Sequence, residues 1–600
     1  MNTYILKKAK AYTFCVCLLL IISCNTKTKN VEPVSINEQV LKLYVNNLSQ
    51  AINSLDAIIT AKTTKEKKSN YIKARKHFKL AEPILAYVDN NNFKSLNAPN
   101  ILIIAGEESF DTRVMNPFGF QVVEEALYSD IIDRELLNNV TNTTSNRLKL
   151  LKTNAHLQLK KHNTIWLLRN QITRIATTGI TGFDSPALNQ SLVESAYTYQ
   201  TIIELIKLNE AHFKSKELLL EFVASIEQAQ KILNHDFDTF DRFDFIKTNI
   251  NEQLKLLVKI QEDWNVDFPF EMALSNNMNT LFSQKTINQT YLMDNLSDTT
   301  QINKKIAFGK ALFNDKSLSK DYSMACASCH IKELAFTDGK KVFNKNQTRN
   351  SPTLTYAAYQ NDFFLDSRTG SLEGQVIGVV NNHNEFNMTM DSIVQRVVNN
   401  PFYKNQIDSL YNNKRTSYNI RHAIASYIRT LNTFDSKFDK NIRGEENTLT
   451  TQEKKGFNLF MGKALCATCH FAPIFNGTVP PRFKDTELEA IGVPHTTDTI
   501  NPILSKDLGR YNVYKTEARK HFFKTPTIRN IALTAPYMHN GVYQTLEEVV
   551  DFYNKGGGVG LGIDLPNQTL PFDNLNLSGD EQQALIAFMK TLTDAHLVSY

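Results

Sequence analysis

Cysteine is scarce in this chain: 600 residues contain seven. Cys15 and Cys17 sit in an apolar run at the N-terminus, a third is Cys24, and the other four form two C-x-x-C pairs, so none is left for a structural disulfide. Long hydrophobic runs are missing as well, since the stretch from Cys15 to Ile22 is too short for a comfortable membrane span. Charge of one sign is not in excess. The net charge of +6 is spread out, and no basic block interleaves with aromatics, which excludes the electrostatic footprint of a nucleic-acid binder. Glycine and proline are sparse from about Val31 to Leu274, so little there interrupts a helical period.

What is present begins with an address. Lys7, Lys8 and Lys10 precede the apolar run, and Ser23 and Cys24 follow it, the pattern of an export signal. Ile21-Ile22-Ser23-Cys24 resembles a bacterial lipobox, whose cysteine takes lipid and becomes the new N-terminus. Residues 1–23 are therefore expected to be a leader and 24–36 a polar tether that joins the protein to a membrane through lipid on Cys24. The implied location is that of an exported lipoprotein facing the periplasm at the outer membrane.

Each remaining cysteine pair is followed at once by histidine, in Cys326-Ala-Ser-Cys329-His330 and Cys466-Ala-Thr-Cys469-His470. A C-x-x-C alone fits a redox dithiol or half a zinc site. With the fifth residue histidine, two thiols are placed to bond haem vinyl groups and an imidazole to bind the iron beneath them. The sequence thus predicts two covalently bound haem c groups, with His330 and His470 as proximal ligands. The two segments are copies of one unit: Gly309-Lys-Ala-Leu312-Phe313 precedes the first motif and Gly456-Phe-Asn-Leu459-Phe460 the second. Both read as amphipathic helices in which glycine permits close helix approach and Leu-Phe packs on the porphyrin.

From about Asn303 onward the chain resembles the bacterial dihaem cytochrome c peroxidase and MauG family. The resemblance rests on CASCHIKELAFTDG (Cys326 to Gly339), RNSPTL (Arg349 to Leu354), FFLDSR (Phe363 to Arg368), SLEGQ (Ser371 to Gln375), FKTPTIRNIALTAPYMHNG (Phe523 to Gly541) and TLEEVVDFY, in that order. It implies that the haem of the first unit binds peroxide at an open face while the second relays electrons. It also implies a Gln and a Glu ten positions apart at that face, matched by Gln375 and Glu385. Peroxide heterolysis needs a group that takes a proton from the near oxygen and returns it to the far one, so Glu385 is the expected acid/base and Gln375 the residue that holds peroxide or water. His383 is an alternative iron ligand in a resting form. No histidine stands near Val342, where the family's reductively activated members carry one, so an open, high-spin first haem is expected.

The resemblance further implies Ca²⁺ between the haems, on the Asn350 side chain and on backbone oxygens of Thr534 and Pro536. The second haem's distal ligand is implied fourteen residues after the histidine of APYMHNG, which leads from His539 to Tyr553, with Met538 as the fallback. Periodicity alone puts Tyr553 in a core, on one face with Leu546, Val549 and Val550 of a helix opened by a Thr545/Glu548 capping box and stopped by Gly556 to Gly558. Two positions depart from the pattern. Leu365 stands where the family has an inter-haem tryptophan, leaving Phe363, Phe364, Tyr356 or Tyr359 as substitutes, and Val379 stands where a proline is usual.

The first half reads as helical, with Leu41, Leu43, Tyr44, Leu48, Ile52 and Leu55 at helical spacing. ARKHFKLAEPILAYVD (Ala74 to Asp89) and NPFGFQVVEEALY (Asn116 to Tyr128) faintly resemble imelysin-like helical bundles. That family's G-x-H-x-x-E motif appears as Gly119, Gln121 and Glu124, with glutamine in place of the metal-binding histidine, which favours a scaffold or docking role.

The expected fold is mainly α: an N-terminal helical bundle (37–274), a polar linker (275–300), and two tandem class I cytochrome c-type domains (301–445 and 446–600). The expected function is reduction of hydrogen peroxide to water with electrons from a small periplasmic cytochrome c or cupredoxin. The alternatives are a MauG-like oxidase that modifies side chains of a partner protein and a non-catalytic electron-transfer cytochrome.

Overall fold

The computed structural model describes residues 34–108, 111–293, 299–412 and 414–597. The leader, Cys24 and the tether up to residue 33 lie outside the described residues. Among the described residues, no helix is long and apolar enough to cross a membrane.

The first half folds as a bundle. Helices Ile36–Thr60 and Thr64–Val88 both open with capping boxes, Ser35 with Glu38 and Thr63 with Glu66, which satisfy amide groups that the first helical turn leaves unpaired. Val40, Tyr44, Leu48, Ala51, Leu55 and Ile58 form the buried stripe of the first helix, while Leu41 and Leu43 flank it half-buried. Helices Lys161–Arg174, Ser191–Leu208, Lys216–Ile232 and Asn251–Asp263 complete the bundle. A short antiparallel hairpin, Ile103–Ala105 paired with Arg113–Met115, is inserted between them. Inside the bundle Arg75 pairs with Glu194 at 2.6 Å, and Lys79 with Glu82 at 2.6 Å and Asp184 at 2.5 Å, all buried. These charges compensate one another, as burial requires.

The two copies predicted from the glycine-containing segments share a construction. Helix Ile302–Phe313 crosses Thr416–Ile428 at Gly309, where a Cβ would lie 1.8 Å from the Ala423 carbonyl oxygen. Helix Thr451–Met461 crosses Gly579–Lys590 at Gly456, where a Cβ would lie 1.9 Å from the Ala584 carbonyl oxygen. Glycine is required at both crossings because any side chain would push the backbones apart.

The cores divide the chain differently from the linear order. One continuous apolar core runs from the bundle through Phe282 and Phe438 to Phe457, Phe475 and Phe588 of the second unit, and takes in Tyr356 and Tyr359; the rest of the first unit has a separate core around Phe313, Val376, Ile393 and Ile424. Phe243 of the bundle packs edge-on against Phe438 and Phe457, at 6.1 and 6.0 Å between centroids. Phe183 meets Phe471, immediately after the second motif, at 6.1 Å. Asn251 Nδ2 donates to the Ile442 carbonyl at 2.9 Å, and Arg482 donates to the Tyr87 carbonyl at 2.9 Å.

The polar stretch from Ser275 to Thr300 connects the halves but is not a loose tether where it is described. Met278, Leu281, Phe282 and Ile287 are buried in the shared core, and Phe282 lies 5.3 Å from the Phe438 ring. Its Asn, Ser and Thr residues bond locally, as in the Thr286 hydroxyl donating to the Thr280 carbonyl, so a polar composition masks a packed segment.

Candidate functional site

Both C-x-x-C-H motifs form a short 3₁₀ turn, Cys326–Ser328 and Cys466–Thr468, closed by the histidine amide donating to the first cysteine's carbonyl at 3.1 and 2.9 Å. In each, the imidazole Nδ1 faces a backbone carbonyl six or five residues on: Phe336 for His330 at 2.8 Å, Phe475 for His470 at 3.1 Å. That bond fixes the ring and its tautomer, leaving Nε2 as the nitrogen available to a metal. Burial lowers the pKa of both imidazoles and so favours the neutral, ligating form. Phe313 and Phe460 stand 6.5 and 6.4 Å from these rings.

The motifs open into one cavity of about 800 Å³, lined by both pairs of cysteines and both histidines. None of the four cysteines is in a disulfide with another described residue. Burial pushes the Cys326, Cys329 and Cys466 thiols up to about 12 and Cys469 well above its usual range, so in the haem-free chain they stay protonated. Two unoxidised cysteine pairs, each beside a neutral imidazole on a shared apolar cavity, fit covalently held haem c.

Gln375 and Glu385 reach this cavity together from the side of the first motif. Gln375 rides on helix Leu372–Asn381, whose N-cap is Ser371 and whose Glu373 is gripped by both outer nitrogens of Arg429 at 2.8 and 2.9 Å. Glu385 follows in a turn where Asn382 Nδ2 donates to it at 2.7 Å. Burial raises the Glu385 carboxyl pKa, and the Asn382 hydrogen bond and the Arg368 charge offset this only in part. A carboxyl so poised exchanges a proton nearer neutral pH than an exposed one. His383 is exposed, bonds Asn387 at 2.9 Å, and does not line the cavity. The cavity's histidines among the described residues are His330, His470 and His539, and the last bonds Ser505 at 2.9 Å and stacks on Phe523.

Leu365 lies on the cavity wall, with Phe363 and Phe364, in a loop bent by left-handed backbone at Phe364 and Ser367. Tyr356 and Tyr359, the other substitutes for the missing tryptophan, do not line the cavity and are hydrogen-bonded behind it. Val379 does line it.

At the second motif, Tyr553 faces the cavity from helix Leu546–Asn554, which starts at the predicted Thr545/Glu548 capping box and ends before Gly556, whose φ is 84°. Met538 lines the same cavity. Burial, with the nearby Cys469 and Cys466, raises the pKa of the Tyr553 phenol. Asn350, Thr534 and Pro536 also converge: Asn350 Nδ2 donates to the Pro536 carbonyl at 2.8 Å, and Asn350 N to the His539 carbonyl at 3.0 Å. This donor set is neutral oxygen of the kind Ca²⁺ accepts, without a carboxylate.

Several residues escaped the sequence reading. Arg349 binds Asp507 and Asp366. Lys524, half-buried on the cavity wall, donates to the Asp362 carbonyl at 3.0 Å, and Glu489 accepts from Cys469 at 3.5 Å. Arg349 with Asp507 and Lys524 with Asp362 are each more than 150 positions apart, and only the clustering of charge near a motif would have signalled them. In the bundle, Gln121 donates to the Asn97 carbonyl at 2.8 Å, and buried Glu124 accepts from Ser185, Ala187, Leu188 and Tyr71. Among the described residues no group of three or more His, Cys, Asp and Glu side chains is placed to hold a metal ion.

The family model for di-haem cytochrome c peroxidase matches residues 303–447. A cytochrome-c peroxidase of Pseudomonas sp. (strain SCT) is 33% identical over 322 residues, covering 49% of this chain and 82% of its own. The methylamine utilization protein MauG of Methylorubrum extorquens is 31% identical over 295 residues, covering 48% of this chain and 78% of its own. A crystal structure of a MauG-like protein associated with microbial copper homeostasis aligns with a TM-score of 0.43 and 28% identity, over 49% of this chain and 91% of its own.

Proposed function

The chain belongs, through its C-terminal half, to the di-haem cytochrome c peroxidase family, and on that premise we propose that it reduces hydrogen peroxide to water with electrons from a small cytochrome c or cupredoxin. The observation that carries this reading is the single cavity on which both C-x-x-C-H motifs meet the Gln375 and Glu385 pair.

Cys326, Cys329, Cys466 and Cys469 would hold the two haem c groups through thioether bonds, and His330 and His470 would offer Nε2 to the irons. When bound, these groups supply the metal that receives peroxide and the electrons that reduce it. The remaining work belongs to side chains. The Gln375 amide orients peroxide at the first site. The Glu385 carboxylate takes the proton from one peroxide oxygen and returns it to the other, so that two electrons and two protons convert one peroxide to two waters. Apolar walls built by Val376, Val379 and Ile424 keep bulk water from competing.

Tyr553 is the proposed distal residue of the second site, with Met538 as the alternative. A phenolate there favours more oxidised states than a thioether does. Ligation by Tyr553 would favour the second reading, a MauG-like oxidase in which stored oxidising equivalents modify side chains of a partner protein. With the Asn350 amide turned over, its oxygen and the Thr534 and Pro536 carbonyls become donors for Ca²⁺ linking the two units. Lipid on Cys24 and a periplasm-facing position complete the proposal, and labelling with a radioactive fatty acid, compared with Cys24→Ser, tests the anchor.

Steady-state assay of the holoprotein with peroxide and reduced cytochrome c or cupredoxin separates the readings. Turnover supports the peroxidase. A long-lived oxidised state without turnover supports the MauG-like oxidase. Absence of any peroxide reaction leaves a non-catalytic electron-transfer cytochrome.

A further inference from the structure

Leu365 cannot carry an electron hole, so the protein needs another oxidisable side chain if equivalents are to leave the second site. Tyr356 and Tyr359 form a pair of wholly buried rings 6.3 Å apart. Their hydroxyl partners differ in a way that decides between them. Tyr359 donates to the Asn432 amide oxygen at 3.0 Å, a weak base that cannot keep a proton. Tyr356 donates to Asp594 Oδ1 at 2.7 Å, a carboxylate with no solvent exposure. The Tyr356 oxygen also accepts from Phe434 N at 3.0 Å and Arg529 Nη1 at 3.2 Å, so the phenol is fixed in one orientation.

The surroundings tie Tyr356 to the second site. Its neighbours in sequence, Leu354 and Ala357, line the cavity. The Arg529 guanidinium lies 4.6 Å from the Tyr356 ring and 5.6 Å from the Phe475 ring, and the Phe475 carbonyl holds the imidazole of His470. Arg529 is itself paired with Asp439 at 2.9 Å in a site closed to water.

We propose that Tyr356 is a redox-active tyrosine that gives an electron to the second haem site while its phenol proton passes to Asp594. This rests on the peroxidase reading, because peroxide supplies the oxidant. The balance is simple: one electron leaves the ring, the O–H bond breaks, an O–H bond forms on Asp594, and a neutral phenoxyl radical remains until the electron donor reduces it and the proton returns. Arg529 beside the ring disfavours a tyrosyl cation, which couples electron loss to proton loss. Burial already raises the proton affinity of Asp594, and Asn530 and Arg529 counter this in part.

Tyr403 in the first unit also donates to a carboxylate, Asp315, and serves as an internal control. The experiment is freeze-quench electron paramagnetic resonance of the two-haem protein after hydrogen peroxide, with haem absorption followed in parallel. The expected result is a tyrosyl signal, narrowed by ring-deuterated tyrosine, that is lost in Tyr356→Phe and in Asp594→Asn and retained in Tyr359→Phe and Tyr403→Phe. Matching haem spectra across the variants would show that they fold and carry haem. A signal that survives Tyr356→Phe, or a peroxide-altered haem spectrum with no tyrosyl signal in the unaltered protein, would overturn this inference alone. No peroxide response at either haem would overturn it together with the peroxidase reading.

Discussion

Arg349, from the first unit, grips both carboxylate oxygens of Asp507, from the second, at 2.5 and 2.9 Å. The same guanidinium binds Asp366, beside Leu365, at 2.6 Å. The cavity-lining loop that carries Leu365 is therefore pinned by an ion network whose members come from both units.

Replacing Arg349 by alanine leaves the largely buried Asp507 without its guanidinium and Asp366 with Arg368 alone, and is expected to cost about 3 kcal/mol of stability. Burial alone would raise the Asp507 carboxyl, but the hydrogen bonds and charge of Arg349 hold it below the usual carboxylate range. A depressed native pKa stabilises the fold above the unfolded carboxyl's pKa, and the contribution is lost as pH falls through the lower native value. Urea unfolding should show the Arg349→Ala deficit at pH 7 shrinking in acid below about pH 4. A deficit independent of pH would contradict the ionic account.

Glu385→Gln should lower peroxide turnover by about 10²- to 10⁴-fold while leaving haem content unchanged. Because the native pKa of Glu385 is raised and the working form is the carboxylate, activity should fall as pH drops through that raised value. The glutamine variant should lack this acid limb. Full turnover in Glu385→Gln would refute the assigned role.

Tyr553→Met should raise the reduction potential of the second haem, since a thioether stabilises ferrous iron more than a phenolate does. Spectroelectrochemical titration reads this directly. An unchanged potential would exclude Tyr553 as the ligand and turn attention to Met538.

The first haem should be high-spin and open as isolated. Exposed His383 is held by Asn387, and among the described residues no second histidine reaches the cavity on the side of the first motif. A fully low-spin ferric spectrum at that haem would contradict this.

Much of the site was legible because its signals are local. C-x-x-C-H packs two thiols and an imidazole into one turn, Gly309 and Gly456 mark helix crossings by their place in helical segments, and the Thr545/Glu548 cap announces the helix that carries Tyr553. Contacts between distant segments were not legible. Arg349 and Asp507 are 158 positions apart and Tyr356 and Asp594 are 238 apart, and no periodicity links them. The bundle's union with the second unit was hidden for the same reason, since Phe243 and Phe282 look like ordinary core residues of their own segments. Ser275 to Thr300 reads as a polar linker, and its packing was hidden because a few apolar side chains outweigh many polar ones in deciding what packs.

The central claim is that this cavity turns peroxide over at the expense of an external donor. Its most direct test is to titrate reduced cytochrome c with hydrogen peroxide, without oxygen and with catalytic amounts of the two-haem protein. The account predicts oxidation of two cytochromes for each peroxide, at a rate proportional to protein and abolished by Glu385→Gln. Donor oxidation no faster than in the protein-free control would contradict it.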